Sequence, residues 1–221
     1  MSQLETSITS SNKQHRIVLR LCAYTGMIGP LFFVVVFTVA GFLHPGYSAL
    51  GQMISNLGVE QPFPWLQDAN FFISGLLLIA FAIGFYQSMR FIIGQRRLTV
   101  SSILLGFVGA GLANEAFFVT DLPGQTPTLH GVLHIVGFLV LFLSLIITQI
   151  RIGRQFLKFP EWRVLGGYSI ATGIATLALI LLFFFTGHSI PQYVGLLNRI
   201  FVIVAFAWYV VMGWQLLKKA M

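Results

Sequence analysis

Long apolar runs alternate with short polar stretches along the whole chain. Six of the runs, near 21–43, 67–89, 98–120, 128–150, 164–186 and 193–216, are long enough to cross a bilayer at about 20 residues each. Backbone N–H and C=O groups in hydrocarbon must find partners within their own segment, so continuous runs of this length predict helices. Membrane strands would instead alternate apolar and polar positions over about 10 residues. The stretch between the first two runs, "HPGYSALGQMISNL" (44–57), has a pattern of its own. On a helical wheel Ser48, Gln52 and Ser55 share one arc, with Leu50, Met53, Ile54 and Leu57 opposite. That predicts a short amphipathic helix, capped by Ser48 and stopped at Gly58, which lies at the membrane interface or walls a site. The predicted fold class is all-α: an integral membrane bundle of six transmembrane helices with a short amphipathic interfacial helix after the first. One domain covers 21–217, behind a polar tail, 1–20, predicted to be disordered.

Composition agrees with this reading. The chain is 57% hydrophobic and only 9% charged, against roughly 25% charged in a soluble domain. The net charge of +7 invites a nucleic-acid partner, but the cations fall elsewhere. Lys13, Arg16 and Arg20 precede the first run; Arg90, Arg96 and Arg97 follow the second. Arg151, Arg154, Lys158 and Arg163 follow the fourth, and Lys218 and Lys219 follow the sixth. The other three connections hold no Lys or Arg. This alternation predicts both termini on the cytoplasmic side of a cell membrane, with lipids rather than nucleic acid as partners. No Walker, Rossmann or CxxCH pattern is present, so no nucleotide is expected. The first run is longer than the core of a signal peptide and is expected to stay. Cys22, the lone cysteine, lies inside it and can form no intrachain disulfide.

Polar chemistry collects at the other side. His44, His130, His134 and His188, with Asp68, Glu115 and Asp121, sit at that end of the runs. His130 and His134 are four apart and share a helix face, a spacing that can offer two imidazoles to one metal ion. With His188 as a third ligand and Asp121 nearby, they could hold zinc and a bound hydroxide for hydrolysis of an ester or amide. Without the glutamate of HExxH, the same pair also fits interfacial histidines, and Asp121 also fits a turn before Leu-Pro-Gly. Glu115 and Arg199 lie at similar depth in the third and sixth runs, which suggests an ion pair between them. Alternatively, Arg199 holds an anionic headgroup and Glu115 handles protons. Ser48 and Ser55 are candidate substrate contacts. Gly106, Gly109, Ala110, Gly111 and Ala113 allow the third run to pack closely.

"HPGYSALGQMISNLG", with "FVTDLPGQTPTLHGVLH" downstream, resembles a family of six-span prokaryotic membrane proteins catalogued as domain of unknown function 998. The resemblance runs from about residue 20 to the end and picks out Tyr47, Ser48, Ile54, Ser55, Asp121, His130 and His134. It implies the six-span fold, adds Tyr47 to the substrate contacts and implies no activity. "ISNLGVEQPFPWLQDANFF" is more faintly similar to the first outer loop of the Frag1/DRAM/Sfk1 proteins, which implies lipid handling. By residue type alone, the Ser, Asp and His set is similar to the alkaline ceramidase and adiponectin-receptor superfamily, whose zinc site implies hydrolysis. The leading expectation is a polar site at the non-cytoplasmic side that binds a lipid or amphiphile without chemistry, as a binding, sensing or scaffold protein. The alternatives are a metal-dependent lipid hydrolase and a small proton- or ion-coupled transporter using Glu115 and Arg199. Transport ranks last because the inner halves of the runs hold little beyond Ser, Thr and Asn.

Overall fold

The computed structural model describes residues 3–220 except 61, 91 and 188, and for 3–15, 219 and 220 it describes backbone alone. Six α-helices account for the apolar runs: α1 (Gln3–Leu43), α2 (Pro64–Met89), α3 (Gln95–Asn114), α4 (Leu129–Phe156), α5 (Arg163–Thr186) and α6 (Val194–Ala220). Short 3-10 helices occupy Ile54–Gly58, Pro160–Trp162 and Pro191–Tyr193. Each of the six carries a stretch long and apolar enough to cross a membrane, so this is a multi-pass membrane protein. In α1 that stretch lies within Arg16–Leu43. The helix itself begins at Gln3, where the polar sequence predicts disorder.

Each helix packs against its neighbours in the chain, and α1 also packs against α6. The six therefore form a closed ring in chain order. The α1–α2, α3–α4 and α5–α6 connections share one end, called here the hairpin end. The other two connections and both termini share the terminal end.

Lipid tails are as apolar as leucine, so neighbouring membrane helices gain most from close backbone approach. A Cβ added to Gly75 of α2 would lie 2.6 Å from the Gly109 carbonyl oxygen of α3. One added to Gly111 would lie 2.7 Å from the Gly137 oxygen of α4, and one added to Gly153 2.8 Å from the Gly166 oxygen of α5. Gly213 of α6 meets the Ala23 carbonyl of α1 in the same way, at 2.6 Å. Gly106 faces open space and takes no part in this packing. Inside the ring Phe33, Phe71, Phe81, Phe85, Phe206 and Tyr209 are buried. Trp208 of α6 donates its indole N–H to Ser169 of α5 at 2.9 Å.

Two elements differ from the sequence pattern. The third helix stops at Asn114 instead of continuing to 120. The amphipathic helix after α1 does not form as one piece. A turn at Ser48–Gln52 is followed by extended Met53 (ψ 157°) and then the 3-10 helix.

Candidate functional site

The break in the first loop has a cause in α6. Ser48 caps as expected: its hydroxyl accepts from Gly51 N at 3.2 Å and its carbonyl from Gln52 N at 2.8 Å. A continuing helix would need the carbonyls of Ala49, Leu50 and Gln52 for its own N–H groups. Those carbonyls are taken by α6: Ala49 and Gln52 accept from Arg199 Nη1 at 2.8 and 2.9 Å, and Leu50 accepts from Leu196 N at 2.9 Å. Leu196 N is one of the orphan donors in the first turn of α6. The Ile54 N–H goes to Asn198 Oδ1 at 2.9 Å. Tertiary bonds thus replace the local ladder. Ile54 and Leu57 turn inward and are buried, while Leu50, expected on the apolar arc beside them, is 51% exposed. Gly58 ends the 3-10 helix.

Arg199 is the centre of this arrangement. Nη1 also donates to the Gly195 carbonyl at 2.9 Å, and Nη2 donates to the Tyr47 hydroxyl in a short bond. The guanidinium lies 5.7 Å from the Phe37 ring centre and 5.5 Å from that of Tyr47. Every hydrogen-bond acceptor around it is neutral, and among the described residues it has no carboxylate partner. The ion pair with Glu115 suggested by their equal depth is not made. Beside Arg199 lies a groove of about 350 Å³ between α1 and α6, walled by Val34, Phe37, Thr38, Phe42 and Ile203. Tyr47 donates to the Met53 carbonyl at 2.9 Å. Burial pushes its phenol above the ordinary range, and the nearby guanidinium only partly opposes this. The phenol therefore stays protonated and donating.

Glu115 pairs instead with His134, Oε2 to Nε2 at 2.6 Å. The early end of α3 makes this possible. Asn114 donates to the Leu133 carbonyl of α4 at 2.9 Å, and the next residues tighten into i+3 bonds. Past the helix end the Phe118 carbonyl is free to accept from His134 Nδ1, at 2.8 Å. A carbonyl only accepts, so Nδ1 carries a proton, and the Glu115–Nε2 bond holds one more between an acid and a base. Glu115 is 5% exposed and His134 7%. The pair borders a cavity of about 60 Å³, room for a few waters. Ser55 and Asn198 line its polar side, with Phe33, Phe71 and Phe206 among its apolar walls.

The other candidates do not converge on His134. His130 is exposed beside Phe118, with ring centres 5.6 Å apart. Asp121 gives one carboxylate oxygen to Thr128 N at 2.9 Å and the other to Thr128 Oγ at 2.7 Å. Thr128 Oγ in turn accepts from Gly131 N at 3.1 Å, capping α4. Gly124, with φ 86°, closes the turn between them. His188 lies outside the described residues. Both ring nitrogens of His134 are engaged, and among the described residues no three His, Cys, Asp or Glu side chains are grouped to share a metal ion. His44 faces Glu60 at 3.7 Å within the first loop.

The Asp121–Thr128 pair yields a test. Thr128→Ala removes the cap and is expected to cost about 1 kcal/mol in a detergent unfolding titration. The hydrogen bonds from Thr128 hold the Asp121 carboxyl below its ordinary range. Its contribution is therefore present above the usual carboxylate pKa and lost as pH falls through the depressed one. Asp121→Asn is expected to flatten that acid limb of the stability profile.

Several contributors carry no motif. Asn198 and the Phe118 carbonyl hold the loop and the imidazole. Asn70 of α2, fully buried, bridges the Phe33 carbonyl of α1, Gln67 and Ser74. The signal available was the cost of an amide inside an apolar run.

No curated protein and no solved structure matches this chain. The likeness to Frag1/DRAM/Sfk1 is not shown by these comparisons. A family model described as a protein of unknown function (DUF998) matches residues 27–215, most of the chain, and the chain belongs to that family.

Proposed function

We propose that the protein holds one anionic amphiphile at the hairpin end without transforming it. The headgroup sits on Arg199, and the chain lies in the groove between α1 and α6. The observation that carries this reading is the charge on Arg199. It is matched only by neutral acceptors and stands at the head of an apolar groove. Backbone carbonyls spread the charge of a guanidinium at the edge of hydrocarbon but do not neutralise it. A phosphate or carboxylate headgroup supplies the neutralising charge while its chain covers the apolar walls. Hydrolysis draws less support, because the imidazole best placed for it has both nitrogens committed. The same reading keeps the cation-rich terminal end on the cytoplasmic face of a cell membrane.

Native mass spectrometry of the protein in mild detergent tests it. The unaltered chain is expected to retain one anionic lipid, with Arg199→Gln weakening that binding about ten- to hundredfold, the value of a charge-assisted hydrogen bond. Equal retention by the variant would remove Arg199 from the site and the reading with it.

A further inference from the structure

A second polar site lies at the terminal end, remote from Arg199. Arg97 and Ser101 of α3, Arg151, Arg154 and Gln155 of α4, and Lys158 in the turn just past α4 surround a pocket of about 260 Å³. The sequence puts them there. On α4 Arg151 is three and four residues from Arg154 and Gln155, and on α3 Arg97 and Ser101 are four apart, so each set forms one helix face, with Lys158 following in the turn after α4. The two helices pack as neighbours, and the faces meet.

The pocket holds positive charge that nothing in it balances. Arg97 Nη1 donates to Gln155 Oε1 at 3.0 Å, a neutral acceptor. Arg151 Nε is closed off from solvent and has no hydrogen-bond partner among the described residues. No ion pair joins any of the four cations to a carboxylate among the described residues. Arg96 and Arg97 also occupy the first turn of α3, where the helix dipole favours anions over cations. Cations that only set orientation need no common cavity, and these four line one.

We propose that this pocket binds a phosphate-bearing anion held by Arg97, Arg151, Arg154 and Lys158. Several cations and forked N–H donors around one small volume suit a tetrahedral, multiply charged group better than a single carboxylate. The phosphate comes from a lipid headgroup or from a soluble molecule, since the pocket lies at the end of the spans where both can reach it.

The test begins with the unaltered, delipidated full chain in detergent. Phenylglyoxal labels arginines, and peptide mass spectrometry reads each position. Phosphatidic acid, phosphatidylcholine or inorganic phosphate is added beforehand. Labelling of Arg151 and Arg154 is expected to slow about tenfold with a phosphate-bearing anion, with Arg16 and Arg163 unchanged. Protection by inorganic phosphate identifies a soluble source; protection by phosphatidic acid alone identifies a headgroup. No protection, or equal protection of all four arginines, overturns the proposal. A second measurement compares phosphatidic acid binding to R151Q/R154Q and to the equal-charge control R16Q/R163Q. Loss of about tenfold or more is expected in the first alone. Equal loss in both means diffuse surface attraction and also overturns it. The labelling readout is at named arginines of the terminal end and is independent of what happens at Arg199; the binding comparison is made in the Arg199→Gln background for the same reason.

Discussion

Glu115→Ala is expected to lower stability by about 3–5 kcal/mol, the cost of leaving one member of a buried hydrogen-bonded pair alone. The substitution strands His134 Nε2 beside an apolar cavity, with Nδ1 still held by the Phe118 carbonyl. Glu115→Gln keeps a side chain that can donate to the imidazole and is expected to lose only about 1 kcal/mol. E115L/H134L removes both polar groups together and is expected to recover most of the alanine loss, since a buried pair seldom adds net stability over an apolar replacement. Unfolding titrations in mixed micelles measure all three, and the single E115L and H134L variants complete the cycle that isolates the coupling. An alanine variant as stable as the parent would mean that water satisfies His134 fully.

Gly137→Val is expected to cost about 3 kcal/mol or more. Its Cβ would fall 2.6 Å from Glu115 Oε1 and closer still to Asn114 Nδ2. Overpacking alone costs roughly 1–3 kcal/mol, and here the displaced groups are the two that tie the end of α3 to α4. Gly106→Val is the natural control, because a side chain there meets only open space. In the same titration it is expected to move stability by less than about 0.5 kcal/mol. Equal effects at the two positions would mean that helix propensity, not the crossing, governs both.

The six spans were legible because run length and backbone satisfaction leave a membrane chain few choices. The end of α3 was not. Ala116, Phe117, Phe118 and Val119 continue the apolar run, while Asn114 ends the helix by bonding to another helix. The first loop carries a real helical pattern, and Ser48 and Gly58 act as read. Its ladder was lost to Arg199, Leu196 and Asn198, which lie about 150 residues away in sequence. The Glu115–Arg199 pairing failed for a topological reason. Equal depth says nothing about neighbours, and in a ring of six built in chain order α3 and α6 stand opposite each other. Glu115 therefore met the imidazole of the next helix. His130 and His134 do share a face, but the first turn of α4 leaves one outside and one inside. Recognising the family carried the fold and no more.

The pinning of the first loop by α6 also orders events during synthesis. Tyr47, Ala49, Gln52 and Ile54 emerge about 150 residues before Arg199 and Asn198. At about 5–20 residues per second the loop waits roughly eight to thirty seconds for its partners. Over that interval its backbone groups have no partner from α6, so the groove at Arg199 matures only when the ring closes.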